Sequence, residues 1–137
     1  MSALVPIEDH EDVFRRIPAK KEFISETGRV QPEAFLPGKH DITGLSVLRA
    51  NMKTAEEASQ GRGPEYYVGT LNVGEMRCKE IRVEPDDPNE SAHAILPDMR
   101  YDNRKSNFVL EKADLLASEL LRGIQGPFAN PLVASGS

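Results

Sequence analysis

The chain has 137 residues, near the length of one typical domain, with 39% hydrophobic, 28% charged and 6% aromatic residues and no tryptophan, so one domain with a lean core is expected. Apolar runs such as Leu115-Leu116-Ala117 fall far short of the roughly 18 residues that cross hydrocarbon, and the single Cys78 offers neither an intrachain disulfide nor the thiols of the common structural zinc sites. A net charge of −5 and an isoelectric point near 5.2 argue against binding along duplex nucleic acid, which calls for a basic stripe.

The N-terminus, with Glu8, Asp9, Glu11 and Asp12, has neither the positive n-region nor the apolar h-region of a secretory signal. A soluble, cytoplasmic protein is therefore expected, with no membrane partner, no metal and no cofactor. Residues 1–12 show little apolar periodicity and read as a flexible acidic leader. Val13-Phe14-Arg15-Arg16-Ile17 is a strand candidate ended by Pro18, whose ring removes a ladder donor. Side chains alternate across a strand, so Phe14 and Arg16 share one face and Val13, Arg15 and Ile17 the other; one arginine is expected at a buried or functional rim. From Ala19 to Gly44 the prolines and glycines predict a long irregular loop pinned by Phe23 and Phe35, a length enriched in functional segments.

Leu45-Ser46-Val47-Leu48 is the second strand candidate. Thr54-Ala55-Glu56-Glu57 offers a capping box ahead of a short helix over about 55–60. Residues 66–73 have the β-branched and aromatic content of a central strand, and Asn72 with Glu75 predicts one helical turn through Cys78. Glu80-Ile81-Arg82-Val83-Glu84 alternates as a half-buried strand does, Pro85-Asp86-Asp87-Pro88-Asn89 reads as an acidic turn, and Ser91–Leu96 is a further strand. The last helix is expected to start at Ser106 or Asn107, to carry an apolar stripe from Phe108 to Leu121, and to stop at Gly123. The fold class is then α+β: a small mixed or mainly antiparallel sheet covered by a C-terminal amphipathic helix, with a domain over 13–123 and a flexible tail over 124–137.

Charge is uneven along the chain. Residues 1–12 carry −4, residues 13–40 hold six basic against three acidic side chains, and residues 61–90 return to −3. Arg100, Arg104 and Lys105 lead into Ser106 at the expected helix start, where basic side chains and backbone donors together suit a phosphate or carboxylate. Arg15, Arg16, Arg104, Lys105 and Ser106 are therefore the candidate ligand-binding residues. No P-loop or dinucleotide fingerprint is present.

His93 lies within an apolar strand candidate and His40 beside Asp41 in the irregular loop; with Ser46 they are the candidate catalytic residues. No pair of the three histidines has metal-ligand spacing. Cys78, between Arg77 and Lys79, is read as a structural or modestly reactive thiol. Asn89-Glu90-Ser91 matches a glycosylation acceptor that stays idle without secretion.

Phe14-Arg15-Arg16-Ile17-Pro18, Gly44-Leu45-Ser46-Val47 and His93-Ala94-Ile95 ahead of a terminal helix resemble a group of small uncharacterised bacterial proteins over roughly residues 13–121. The resemblance implies a bacterial cytoplasmic setting and no particular activity. A looser similarity is to ADP-ribosyltransferase-type folds, in which an arginine on the first strand and a serine on a later strand hold NAD. Arg15 or Arg16 and Ser46 would take those places, although no glutamate motif of that kind is present. Two functions follow as expectations. One is a noncatalytic interaction or regulatory module with a protein partner or a second copy of the chain. The other is a small enzyme or binding protein for a nucleotide or other small anionic, phosphorylated ligand.

Overall fold

A computed structural model describes residues 5–61, 63–87, 90–101 and 107–129. In chain order its elements are β1 (Asp12–Pro18), a 3-10 turn (Pro32–Phe35), β2 (Leu45–Arg49), α1 (Ala55–Ala58), β3 (Glu65–Asn72), α2 (Val73–Cys78), β4 (Glu84–Asp87), β5 (Glu90–Leu96), α3 (Asn107–Leu115), a π turn (Leu116–Leu120) and β6 (Leu121–Ala129). The six strands form one sheet in the order β4-β5-β2-β1-β3-β6, every neighbouring pair antiparallel. The α+β class is as the alternating and helical patterns require. None of the helices among the described residues is long and apolar enough to cross a membrane.

Period-two alternation decides which face is core. Val13 and Ile17 of β1, Leu45 and Val47 of β2, Leu71 of β3, and Ala94 and Leu96 of β5 are buried on one face. Against them lie Phe35 of the 3-10 turn, Met76 of α2, Ile81, Met99, and Val109, Ala113 and Leu116 from α3 and the turn after it. The buried spacing is 109, 113, 116, 120: Ala113, Leu116 and Leu120 keep their places in the apolar stripe expected from the sequence, while Phe108, expected to begin it, is exposed and Val109 is buried instead. On the other face, Ala58 of α1 and Val68 of β3 are fully buried apart from this main cluster.

Local hydrogen bonding realises both expected caps. Thr54 Oγ1 accepts from the Glu57 N–H at 3.1 Å while Glu57 Oε1 accepts from the Thr54 N–H at 3.0 Å, and Asn72 Oδ1 accepts from the Glu75 N–H at 3.0 Å. Replacing Thr54 by alanine is expected to cost about 1 kcal/mol. The loss is read as a lower urea midpoint at unchanged slope.

Three regions depart from the sequence reading. Residues 80–84 alternate in burial, with Ile81 and Val83 buried, but form no strand until Glu84. The reason is the end of α2. The Ile81 N–H donates to the Met76 carbonyl and the Glu80 N–H to the Arg77 carbonyl, a Schellman closure with Glu80 at φ 62. Buried Lys112 of α3 holds that closure, its Nζ donating to the Glu80 and Lys79 carbonyls at 2.9 and 3.3 Å. The residues read as an acidic turn then supply β4.

The last helix also ends early, and residues 121–129, expected as the helix end and the start of a loose tail, are β6 on the free edge of β3. Gly69 of β3 makes room for this strand: a Cβ there would stand 2.7 Å from Leu121 Cδ1. An edge strand tolerates Gly123, which argued for a helix stop, and Gly126 and Pro127, which argued for a tail, because its outer ladder groups face solvent. The rest of the expected tail, residues 130–137, lies outside the described residues.

Residues 5–11, expected as part of a flexible acidic leader, pack on the body. Ile7 and Glu11 are buried, and the Val73 and Gly74 N–H groups donate to the Glu11 and Asp9 carbonyls.

Candidate functional site

The ladder between β1 and β2 is short. It holds Val13↔Arg49 and Phe14↔Leu48 and goes no further, while β1 continues paired to β3 as far as Pro18↔Tyr66. Beyond Phe14 the sheet therefore opens between its first two strands. Arg15 fills the opening from the core face, its Nη1 donating to the Ser46 carbonyl at 3.0 Å and its Nε to the Ala34 carbonyl at 3.1 Å. Burial lowers the Arg15 pKa to about 10, against which Asp41 works to raise it while Arg16 adds a further push down. At neutral pH the group is still a cation, half-buried beside the strand that carries Ser46.

On the opposite face of the sheet, β2 and β5 pair in the register Ser46↔Ile95 and Leu48↔His93. His93 is the diagonal neighbour of Ser46, within reach of a ring. His93 Nε2 lies 3.1 Å from Ser46 Oγ, and His93 Nδ1 lies 2.8 Å from Asp86 Oδ2 on β4. Asp86 reaches this face through the β4–β5 hairpin, whose register shifts between Pro85 and Asp87. The His93 and Asp86 side chains are 28% and 30% exposed, so solvent or a ligand has access to them.

For the neutral form of the His93 ring, its two partners assign the tautomer. An ionised carboxylate only accepts, so Nδ1–H points to Asp86 and the Nε2 lone pair is left to accept from the Ser46 hydroxyl. The arrangement is a base, oriented by a carboxylate, in contact with an alcohol.

Other sequence candidates lie elsewhere. Arg16 donates to the Gln60 carbonyl and stacks over the Tyr66 ring, 5.5 Å from its centroid, on the far side of β1 from β2. Its contacts hold the turn after α1, where the Gly63 N–H donates to the Tyr66 hydroxyl at 2.7 Å. His40 is exposed in a turn, and the neighbouring Asp41 carboxylate accepts from the Gly38 N–H at 2.7 Å. Cys78 is an exposed free thiol. Arg104, Lys105 and Ser106 lie outside the described residues.

Asp86 is the one member of the cluster absent from the sequence candidates. Its signal was a carboxylate seven positions before a histidine across a turn, which becomes informative only once β4 is placed at Glu84–Asp87.

A cleft of about 370 Å³ lined by Ile42, Arg82, Pro97, Asp98, Arg100, Tyr101, Phe108 and Val109 contains none of these groups. There the Asp98 carboxyl, which burial alone would raise, is held below its usual range by the Arg82 N–H and guanidinium. Among the described residues no group of three or more His, Cys, Asp or Glu side chains is placed to hold a metal ion. No family model, curated protein or solved structure matches the chain.

Proposed function

We propose that the protein is a small enzyme acting on a nucleotide or related phosphorylated ligand, with Arg15 as the cation that attracts the anion and His93 as the base. The observation that carries this reading is the meeting of three candidates on one residue of β2. Arg15 bonds the Ser46 carbonyl and His93 bonds the Ser46 hydroxyl, at the point where β1 and β2 part. Arg15 commits Nε and Nη1 to carbonyls, and its Nη2 makes no hydrogen bond among the described residues. A half-buried guanidinium with a spare edge suits a phosphate oxygen.

An arginine on the first strand beside a serine on the second also accords with the similarity to ADP-ribosyltransferase-type folds, which makes NAD the first ligand to test. The module reading drew on the lack of any linked catalytic constellation in the sequence. Contact among Ser46, His93 and Asp86 supplies one, and this is why the enzyme reading is preferred here.

The test is a thermal-shift series with NAD, a nucleoside monophosphate and inorganic phosphate. A ligand at a hundred times its Kd stabilises the native state by about 2.7 kcal/mol, a rise of several degrees. The expected result is such a rise for NAD or the monophosphate, lost in Arg15→Lys and Arg15→Gln when each is compared with its own ligand-free melt. No rise with any of the three, together with stoichiometric retention of a protein partner, would return the reading to an interaction module.

A further inference from the structure

We propose that Ser46 is a nucleophile and that the open end of the β1–β2 ladder is its oxyanion site, so that the protein transfers or hydrolyses an acyl group held in ester linkage. This rests on the reading of the Ser46 region as catalytic and not on the ligand's being a nucleotide.

The first part of the argument is the hydroxyl. A serine alcohol is a weak nucleophile unless a base takes its proton as it attacks. Here Nε2 of His93 stands at 3.1 Å from Oγ, and Asp86 at 2.8 Å from Nδ1 fixes the ring's orientation and tautomer. The base is held on β5, one strand from the nucleophile, in a cross-strand pairing that leaves little freedom to drift.

The second part is the backbone. In an antiparallel sheet the N–H and C=O of one residue point to the same neighbouring strand. The Ser46 carbonyl points toward β1, since it accepts from Arg15, so the Ser46 N–H points the same way. The β1–β2 ladder ends at Phe14↔Leu48, one turn of the pleat before Ser46. The nucleophile's own amide therefore faces the opening with no strand partner across it. A free-facing amide of the attacking residue is the kind of donor that stabilises a tetrahedral oxyanion, and Arg15, bonded from the core face to the Ser46 carbonyl, holds that peptide in place.

The reaction balances on these groups with water. Ser46 Oγ bonds to the carbonyl carbon of the ester as its proton passes to His93 Nε2. The tetrahedral adduct then breaks the carbon–oxygen bond to the alcohol, which leaves with that proton. Water attacks the acyl-serine, gives its proton to Nε2, and releases the acid as Oγ is reprotonated. His93 is the catalytic base. Asp86 is a positioning residue, acting through His93.

The experiment uses the full chain and a fluorophosphonate probe, which forms an Oγ–P bond and expels fluoride, followed by intact-mass and peptide analysis. One adduct on Ser46 is expected in the wild type, none in Ser46→Ala, and a labelling rate lower by about 100-fold or more in His93→Gln. Asp86→Asn is expected to slow labelling while leaving the melting temperature close to wild type, because Asp86 lies on the short outer strand.

No adduct at Ser46, or a labelling rate indifferent to His93→Gln, overturns the proposal. Labelling without a nucleotide shift would sink the nucleotide reading alone, and a nucleotide shift without labelling would sink this inference alone.

Discussion

Arg49→Met is expected to lower the unfolding free energy by about 3–5 kcal/mol, a large share of the 5–15 kcal/mol typical of a domain. Arg49 is 1% exposed, yet it sits on the core face of β2. Its Nε and Nη2 reach both oxygens of buried Glu11 at 2.9–3.0 Å, and its Nη1 and Nη2 also reach the Val5 and Pro6 carbonyls at 2.7 and 2.9 Å. Removing the cation leaves a buried carboxylate without its partner and frees the segment that lies across it. The cost is mainly that of the stranded charge, because a paired buried ion contributes little net stability compared with a well-packed apolar pair. The double variant Glu11→Leu/Arg49→Met should accordingly recover most of the loss. Urea denaturation of the two single variants and the double variant measures this as a cycle. A loss under 1 kcal/mol for Arg49→Met would show that the N-terminal segment is not tied down through this pair.

The same residue explains why the packing of the N-terminal segment is not legible in its own sequence neighbourhood. Glu8, Asp9, Glu11 and Asp12 look like a solvated run because the cations nearest in sequence, Arg15 and Arg16, turn away to the carbonyls of Ala34, Ser46 and Gln60. The cation that buries Glu11 stands 38 positions away on β2. Each misplaced element has this cause. The strand expected at 80–84 lost its start to a helix closure held by Lys112, and the expected tail became β6 because β3 had an open edge and, at Gly69, the room to receive Leu121. Elements set by nearby residues were legible to within a residue or two: β1, β2, β3 and β5, and both caps, whose partners lie three positions apart.

The site divides along the same line. His93 stands out because a polar side chain inside an apolar strand needs a partner, whereas Ser46 enters only through the resemblance to ADP-ribosyltransferase-type folds. Alternation placed Arg15 and Arg16 on opposite faces but carried no information about which one would meet β2. That choice depends on where the β1–β2 ladder ends. Asp86 was hidden because its strand was read as a turn.

Gly44→Ala is the second large effect, and it reaches the site through the backbone. Gly44 has φ +150, and a Cβ built on it would lie 2.6 Å from the Leu96 carbonyl oxygen, 2.9 Å from its carbon and 3.1 Å from Pro97 Cα. All three are backbone atoms, so no side chain can swing aside. Strain at such a position costs about 1–3 kcal/mol. Forcing the chains apart costs about 1–3 kcal/mol more. The contact is where β2 begins against the end of β5, next to the Leu45↔Leu96 pair, and Ser46 and His93 are carried by those two strands. A shift of a few tenths of an ångström there lengthens the 3.1 Å contact between Ser46 and His93, so the variant is expected to lose both stability and probe reactivity at Ser46. Gly123→Ala is the matching control. A Cβ at Gly123 meets nothing within 4 Å and its φ is not in the left-handed region, so that variant should melt within a degree or two of wild type or slightly above it. Thermal melts of the two variants side by side decide the matter. Equal melting temperatures would mean that the β2–β5 junction yields more easily than its backbone contacts allow, and the alignment of Ser46 with His93 would then have to come from Asp86 alone.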